Sequence, residues 1–106
     1  MSAQEPEFCY VTTTGWKSGK SHEIEIWFVS HDGAYYIVAE GREKAHWVQN
    51  IRHNPIISVR VGEKTYQGKG RGIDRDAEPE LAAAVAAQMD AKYDWSDGLI
   101  VELRPD

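Results

Sequence analysis

Hydrophobic and polar positions along the chain change period repeatedly, and each change marks an element. Cys9 to Thr14 is rich in aromatic and β-branched residues and stops at Gly15, as a strand stops at a turn. From His22 to Val29 the pattern alternates, with Ile24, Ile26 and Phe28 on one face and Glu23, Glu25 and Trp27 on the other. His31-Asp32-Gly33-Ala34 carries an Asp-Gly hairpin signal, and Tyr35 to Ala39 is the return strand, closed by Glu40-Gly41-Arg42. From Glu43 to His53 the spacing turns helical: Trp47, Val48 and Ile51 form the apolar stripe, and Asn54-Pro55 ends it. Ile56 to Val61 is a long apolar run, which predicts a central strand, and Gly62-Glu63-Lys64 turns it into Thr65 to Ile73.

That next strand places Tyr66, Gly68, Gly70 and Gly72 on one face, a pattern that favours barrel curvature over direct contact with a ligand. Asp76 offers an N-cap and Pro79 an early helical position for Leu81 to Met89, whose alanines imply close packing. Leu99 to Leu103 is the final strand. The order is βββαββαβ, which predicts a mainly β (α+β) fold: six antiparallel strands in a small barrel with two covering helices. No repeat or linker divides residues 1–106, so one domain is expected.

Composition narrows the function classes. The chain is 42% hydrophobic and 27% charged, with a formal net charge of -5, a poor match to a non-specific nucleic-acid binder. Met1 to Phe8 is polar and acidic, with no apolar signal region, and no run approaches a membrane span, so a cytoplasmic protein is expected. The single cysteine, Cys9, cannot make an internal disulfide and sits in a strand, where a buried inert thiol is the expected state. His22, His31, His46 and His53 show no metal-ligand spacing, so no metal site is expected.

The candidate chemistry lies between Gly15 and Ser21. Two glycines, Lys17, Lys20 and Ser18 can turn N–H groups and positive charge towards an anion, commonly a phosphate. The loop leads into a strand and lacks the P-loop spacing, and locally a plain lysine-bearing turn fits as well as an anion grip. With no nucleophile elbow and no convincing acid–base pair, a borrowed cofactor is the natural source of reactivity.

Thr12-Thr13-Thr14-Gly15-x-Lys17-Ser18-Gly19-Lys20, Trp27-Phe28-Val29, Tyr36-Ile37-Val38-Ala39, His46-Trp47-Val48-Gln49-Asn50-Ile51-Arg52-x-Asn54-Pro55 and Val59-x-Val61-Gly62 together resemble the deazaflavin (F420)-dependent nitroreductase family. That family belongs to the flavin-reductase-like, pyridoxamine-phosphate-oxidase-like split β-barrels, and the similarity runs from Tyr10 to Leu103. It implies an oxidoreductase that moves a hydride from reduced coenzyme F420 to a small-molecule acceptor: a quinone, nitro compound or activated alkene. It further implies that Lys17, Ser18, Gly19 and Lys20 hold the phosphate and acidic tail, and that Ile24 and Ile26 flank the deazaflavin. Ala39, Glu40 and Gly41 would meet its polar edge, Trp47 and Asn50 would close the site, and Tyr93 and Trp95 would stand on the substrate side. A homodimer is implied by the same resemblance. Trp16 stands where the family usually has a cation, and Glu40 where a small or hydroxyl residue is common. An FMN-binding split barrel and a non-catalytic cofactor- or ligand-binding protein are the alternative readings.

Overall fold

The computed structural model describes residues 6–106; the expectation about the N-terminal stretch therefore falls largely on residues 1–5, which lie outside the described ones. Six strands, β1 (Phe8–Thr14), β2 (Ser21–His31), β3 (Ala34–Ala39), β4 (Ile56–Val61), β5 (Lys64–Gly72) and β6 (Leu99–Pro105), close into a barrel in the order β1-β2-β3-β6-β5-β4. Every pairing is antiparallel. Helix α1 (His46–His53) lies between β3 and β4, and α2 (Pro79–Tyr93) between β5 and β6, giving the expected βββαββαβ order. Asp32 and Gly33 both have positive φ, at 52° and 82°, as the predicted two-residue hairpin requires.

Period-two alternation separates two cores. Inside the barrel, Cys9, Val11, Phe28, Ile37, Ile57, Val59, Val101 and Leu103 pack together, and α1 plugs one end with Val48 and Ile51. Outside it, Val29, Tyr36, Val38, Ile73 and Ile100 meet Ala82, Val85 and Met89 of α2. The glycine face of β5 serves this packing. A Cβ on Gly68 would stand 2.2 Å from the Arg104 carbonyl oxygen, and one on Gly70 would stand 3.2 Å from Ile51 of α1. Strand and helix can come this close only where side chains are missing.

Three local expectations change. The predicted helix over 43–53 splits into a 3₁₀ turn (Arg42–Lys44) and α1, because Ala45 is extended at φ −63°, ψ 134°. The Glu43 carbonyl, which a continuous helix would pair with the Trp47 amide, instead accepts the Gln49 side chain. Asp76 does not cap α2: Glu78 is the cap residue, without a side-chain bond, while the Asp74 carboxylate accepts the Asp76 amide in the preceding turn. Finally, β4 is no more central than its neighbours, since closure gives every strand two partners.

Candidate functional site

The β1–β2 loop is folded tightly on itself. The Gly15 amide donates to the Lys20 carbonyl at 2.7 Å and the Gly19 amide to the Gly15 carbonyl at 2.8 Å. Gly19 adopts φ 73°, and the Ser18 hydroxyl accepts the Lys20 amide at 3.2 Å. A Cβ on Gly15 would fall 2.7 Å from Ser18 Oγ and 2.9 Å from His22 Nε2, so a larger residue here would push both side chains aside.

Helix α1 holds the loop from the other side. Asn50 is buried; its Oδ1 accepts the Trp16 amide at 3.1 Å and its Nδ2 donates to Thr13 Oγ1 at 3.0 Å. Trp16, found where a cation was expected, stacks on His53 with centroids 4.2 Å apart and planes 12° apart, and Lys17 Nζ lies 4.8 Å from its ring centroid. The residue that departs from the family pattern thus pins the loop to the end of α1.

A hollow of about 550 Å³ opens beside this loop, lined by Gly15 to Ser18, His22 to Ile24, His46, Trp47, Gln49 and Asn50. A second, of about 620 Å³, is lined by Phe8, Glu25 to Trp27, Val38 to Gly41, Trp47 and Trp95. Trp47 borders both, and both draw lining residues from β2, so they lie side by side along that strand as the two ends of what we call the groove. The 39–42 turn at the far end is fixed by close approach. A Cβ on Gly98 would stand 2.4 Å from the Ala39 carbonyl oxygen, and Arg42, at φ 53°, pairs with Asp97 at 2.9 Å.

Of the residues expected at the site, Lys17, Ser18, Ile24, Trp47 and Asn50 line the loop hollow, and Ile26, Ala39, Glu40, Gly41, Trp47 and Trp95 line the second. Gly19 and Lys20 belong to the loop without lining either space. Tyr93 lines neither. Its ring stacks on Trp27 at 4.6 Å, and its hydroxyl accepts the Phe28 amide at 3.0 Å and lies within donating distance of the Glu7 and Phe28 carbonyls. Those contacts tie α2 to β2 and leave the Tyr93 hydroxyl engaged away from the groove.

Other lining residues were not anticipated: His22, His46 and Gln49 at the loop end, and Phe8, Glu25, Trp27 and Val38 at the far end. His22 shares the period-two face of Ile24 and Ile26, and His46 lies four residues before Asn50 and three before Gln49, so pattern alone could have found these three. A third cavity, of about 480 Å³, shares no lining residue with the groove. Its Arg42 is paired with Asp97 and its Arg75 donates to the Ser96 and Gly98 carbonyls, so these cations already serve the fold.

The groove offers grip rather than nucleophilic chemistry. Cys9 is wholly buried and burial pushes its thiol up to about 12, leaving it protonated and inert. Lys17 and two histidines at one end with apolar and aromatic walls at the other can hold an elongated molecule with an anionic tail and a planar head.

Comparison with known proteins gives the family and the fold. Residues 3–98 match the family described as F420H(2)-dependent quinone reductase. An F420-H2 dependent reductase, FDR-A, is 25% identical, covering 98% of this chain and 99% of its own, with a TM-score of 0.65. HutZ, described as the heme storage protein of Vibrio cholerae, superposes with a TM-score of 0.75 at 18% identity over 94% of this chain and 82% of its own. A Listeria innocua protein assigned as a pyridoxamine 5'-phosphate oxidase gives 0.69 at 13% identity over 95% and 85%. The last two likenesses concern the fold alone. None of the curated proteins matches the chain. No helix of the described residues is long and apolar enough to cross a membrane.

Proposed function

Since the chain belongs to the F420H(2)-dependent quinone reductase family, we propose that it binds coenzyme F420 along this groove and directs hydride transfer to a quinone, nitro compound or activated alkene. The observation that carries the reading is that a lysine-bearing hollow and a wider aromatic one lie side by side along β2 with Trp47 as their shared wall. The residues fit the group. Lys17, Ser18, Gly19 and Lys20 would take the phosphate and acidic tail, with the backbone drawn close at Gly15. Ile24, Ile26 and Trp47 would flank the planar head, and the backbone of Ala39, Glu40 and Gly41 would meet its polar edge. Trp95 would face the acceptor, and Asn50 acts indirectly by holding the loop.

When bound, reduced F420 supplies the hydride; the chain's part is placement. Two planar molecules held in contact between apolar walls react as an intramolecular pair, and exclusion of water limits competing reactions. Titrating F420 into the purified protein tests this reading: saturable quenching of cofactor fluorescence is expected. Lys17→Ala with Lys20→Ala should weaken that binding about tenfold, the worth of two exposed charge-assisted contacts. Absence of saturable binding would refute the reading, and a yellow protein that releases FMN on denaturation would replace F420 with FMN.

A further inference from the structure

The groove is electrically polarised along its length. At the loop end, Lys17, His22 and His46 line the space, and the one carboxylate there, Glu23, faces Arg60 at 3.9 Å. At the aromatic end the lining, among the described residues, contains two carboxylates, Glu25 and Glu40, and no lysine, arginine or histidine. Glu25 accepts the Tyr10 hydroxyl. Glu40 is exposed and makes no hydrogen bond or ion pair among the described residues, while the neighbouring cation, Arg42, is turned to Asp97. Around these carboxylates stand Phe8, Trp27, Trp47 and Trp95. Aromatic faces carry a negative quadrupole, so ring walls and carboxylates favour the same sign of guest.

We propose that the aromatic hollow, on the Trp95 side that the planar head leaves to the acceptor, selects electron acceptors by charge through the Glu40 side chain. It takes planar aromatic cations of the N-alkylpyridinium or quinolinium type, then neutral rings, ahead of anionic ones, and Glu40 is the residue that sets this order. The redox part rests on the reductase reading; the charge selection does not. With such a cation the chemistry closes simply. A hydride adds to a ring carbon, forming one C–H bond, and a ring π pair moves onto the nitrogen. The acceptor gains two electrons and becomes a neutral dihydro product, while the cofactor is oxidised by two electrons and its remaining proton passes to solvent. No side chain has to protonate the product, and its lost charge removes the attraction to Glu40, which favours release.

The test uses the cofactor-free protein and equilibrium dialysis of three probes of one shape: 1-methylquinolinium, quinoline and quinoline-2-carboxylate. At neutral pH and low salt, the cation is expected to bind about tenfold more tightly than the carboxylate, as one exposed ion pair plus a ring contact would give. Glu40→Gln should weaken the cation by about three- to fivefold, strengthen the carboxylate, and leave quinoline nearly unchanged; Glu40→Lys should reverse the order. Added salt should shrink the preference. Equal affinities for all three probes, or equal losses for all three in Glu40→Gln, would overturn the proposal. A parallel F420 titration separates the two readings. A protein that keeps the charge order but ignores F420 retains this selection and loses the reductase reading. A protein that binds F420 without any charge order loses the selection alone.

Discussion

Asn50→Ala should loosen the anion loop as well as the fold. Asn50 is 6% exposed, and its amide bridges two elements, accepting from Trp16 of the loop and donating to Thr13 of β1. Alanine leaves Thr13 Oγ1, itself 1% exposed, without its donor and frees the partly buried Trp16 amide. An unsatisfied buried group costs about 1–3 kcal/mol, the Trp16 side lies at the low end because water can reach it, and the lost packing adds somewhat less than 1 kcal/mol. The sum is about 2–3 kcal/mol, or roughly 10 °C in melting temperature for a chain of this size. Asn50→Asp keeps an acceptor for Trp16 but loses the donor to Thr13 and buries an unpaired carboxylate, and should cost at least as much as alanine at neutral pH. Urea unfolding followed by tryptophan fluorescence measures the stability term. Hydrogen exchange at the Trp16 amide, measured well below the transition, reports the loop, and F420 affinity should drop about three- to tenfold as preorganisation is lost. A stability change under about 0.5 kcal/mol would refute the accounting. Normal stability loss with unchanged Trp16 exchange would show that the clamp does not position the loop.

The remaining expectations concern the fold around the groove. Gly68→Ala places a Cβ 2.2 Å from a backbone oxygen and should cost about 3 kcal/mol or prevent folding, whereas Gly72→Ala meets nothing closer than 3.9 Å and should stay within about 0.5 kcal/mol; thermal melts distinguish them. Burial pushes the Glu102 carboxyl up, but hydrogen bonds from Arg104, Tyr36 and Arg71 outweigh it, so its pKa falls below the ordinary value. The native state therefore binds fewer protons than the unfolded one near the unfolded carboxyl value of about 4.3; the stabilisation is complete above that value and is lost as pH falls through the lowered one. Glu102→Gln should cost about 1.5–3 kcal/mol at neutral pH and flatten the fall of the urea midpoint as pH drops below about 4.3. Native Cys9, with its thiol at about 12, should resist iodoacetamide at neutral pH and react fully once unfolded, as mass spectrometry would record.

What the sequence displayed and what it concealed divide along physical lines. Alternation in residues 22–29 and the Asp32-Gly33 signal reflect short-range geometry, and both elements appear where the pattern puts them. The start of α1 did not, because the Glu43 carbonyl is taken by a side chain six residues later, a choice that helical spacing does not encode. Tyr93 and Trp95 looked alike in sequence. One is held by stacking on Trp27 and by backbone groups of β2 and of residue 7, while the other borders the groove, and only the docking of α2 on β2 separates them. Trp16 was readable as a departure from a cationic pattern but not as a partner for His53, 37 residues away in sequence and 4.2 Å away in space.

Glycine placement decides why a groove exists at this position at all. Helix α1 is pressed on the barrel mouth where Gly70 gives Ile51 room, and its neighbouring flank is caught by the loop through Asn50 and Trp16. Two adjacent residues fixed against different partners leave a short helix no freedom to roll. Trp47 lies four residues before Ile51 and three before Asn50, so it shares their side of the helix and its direction is set by theirs. The 39–42 turn is fixed independently, by Gly98 under the Ala39 carbonyl and by the Arg42–Asp97 pair. The groove is the space left between these two separately anchored segments, with β2 as its floor. Its width at Trp47 therefore follows from close approaches at two glycines, Gly70 and Gly98, neither of which lines the groove.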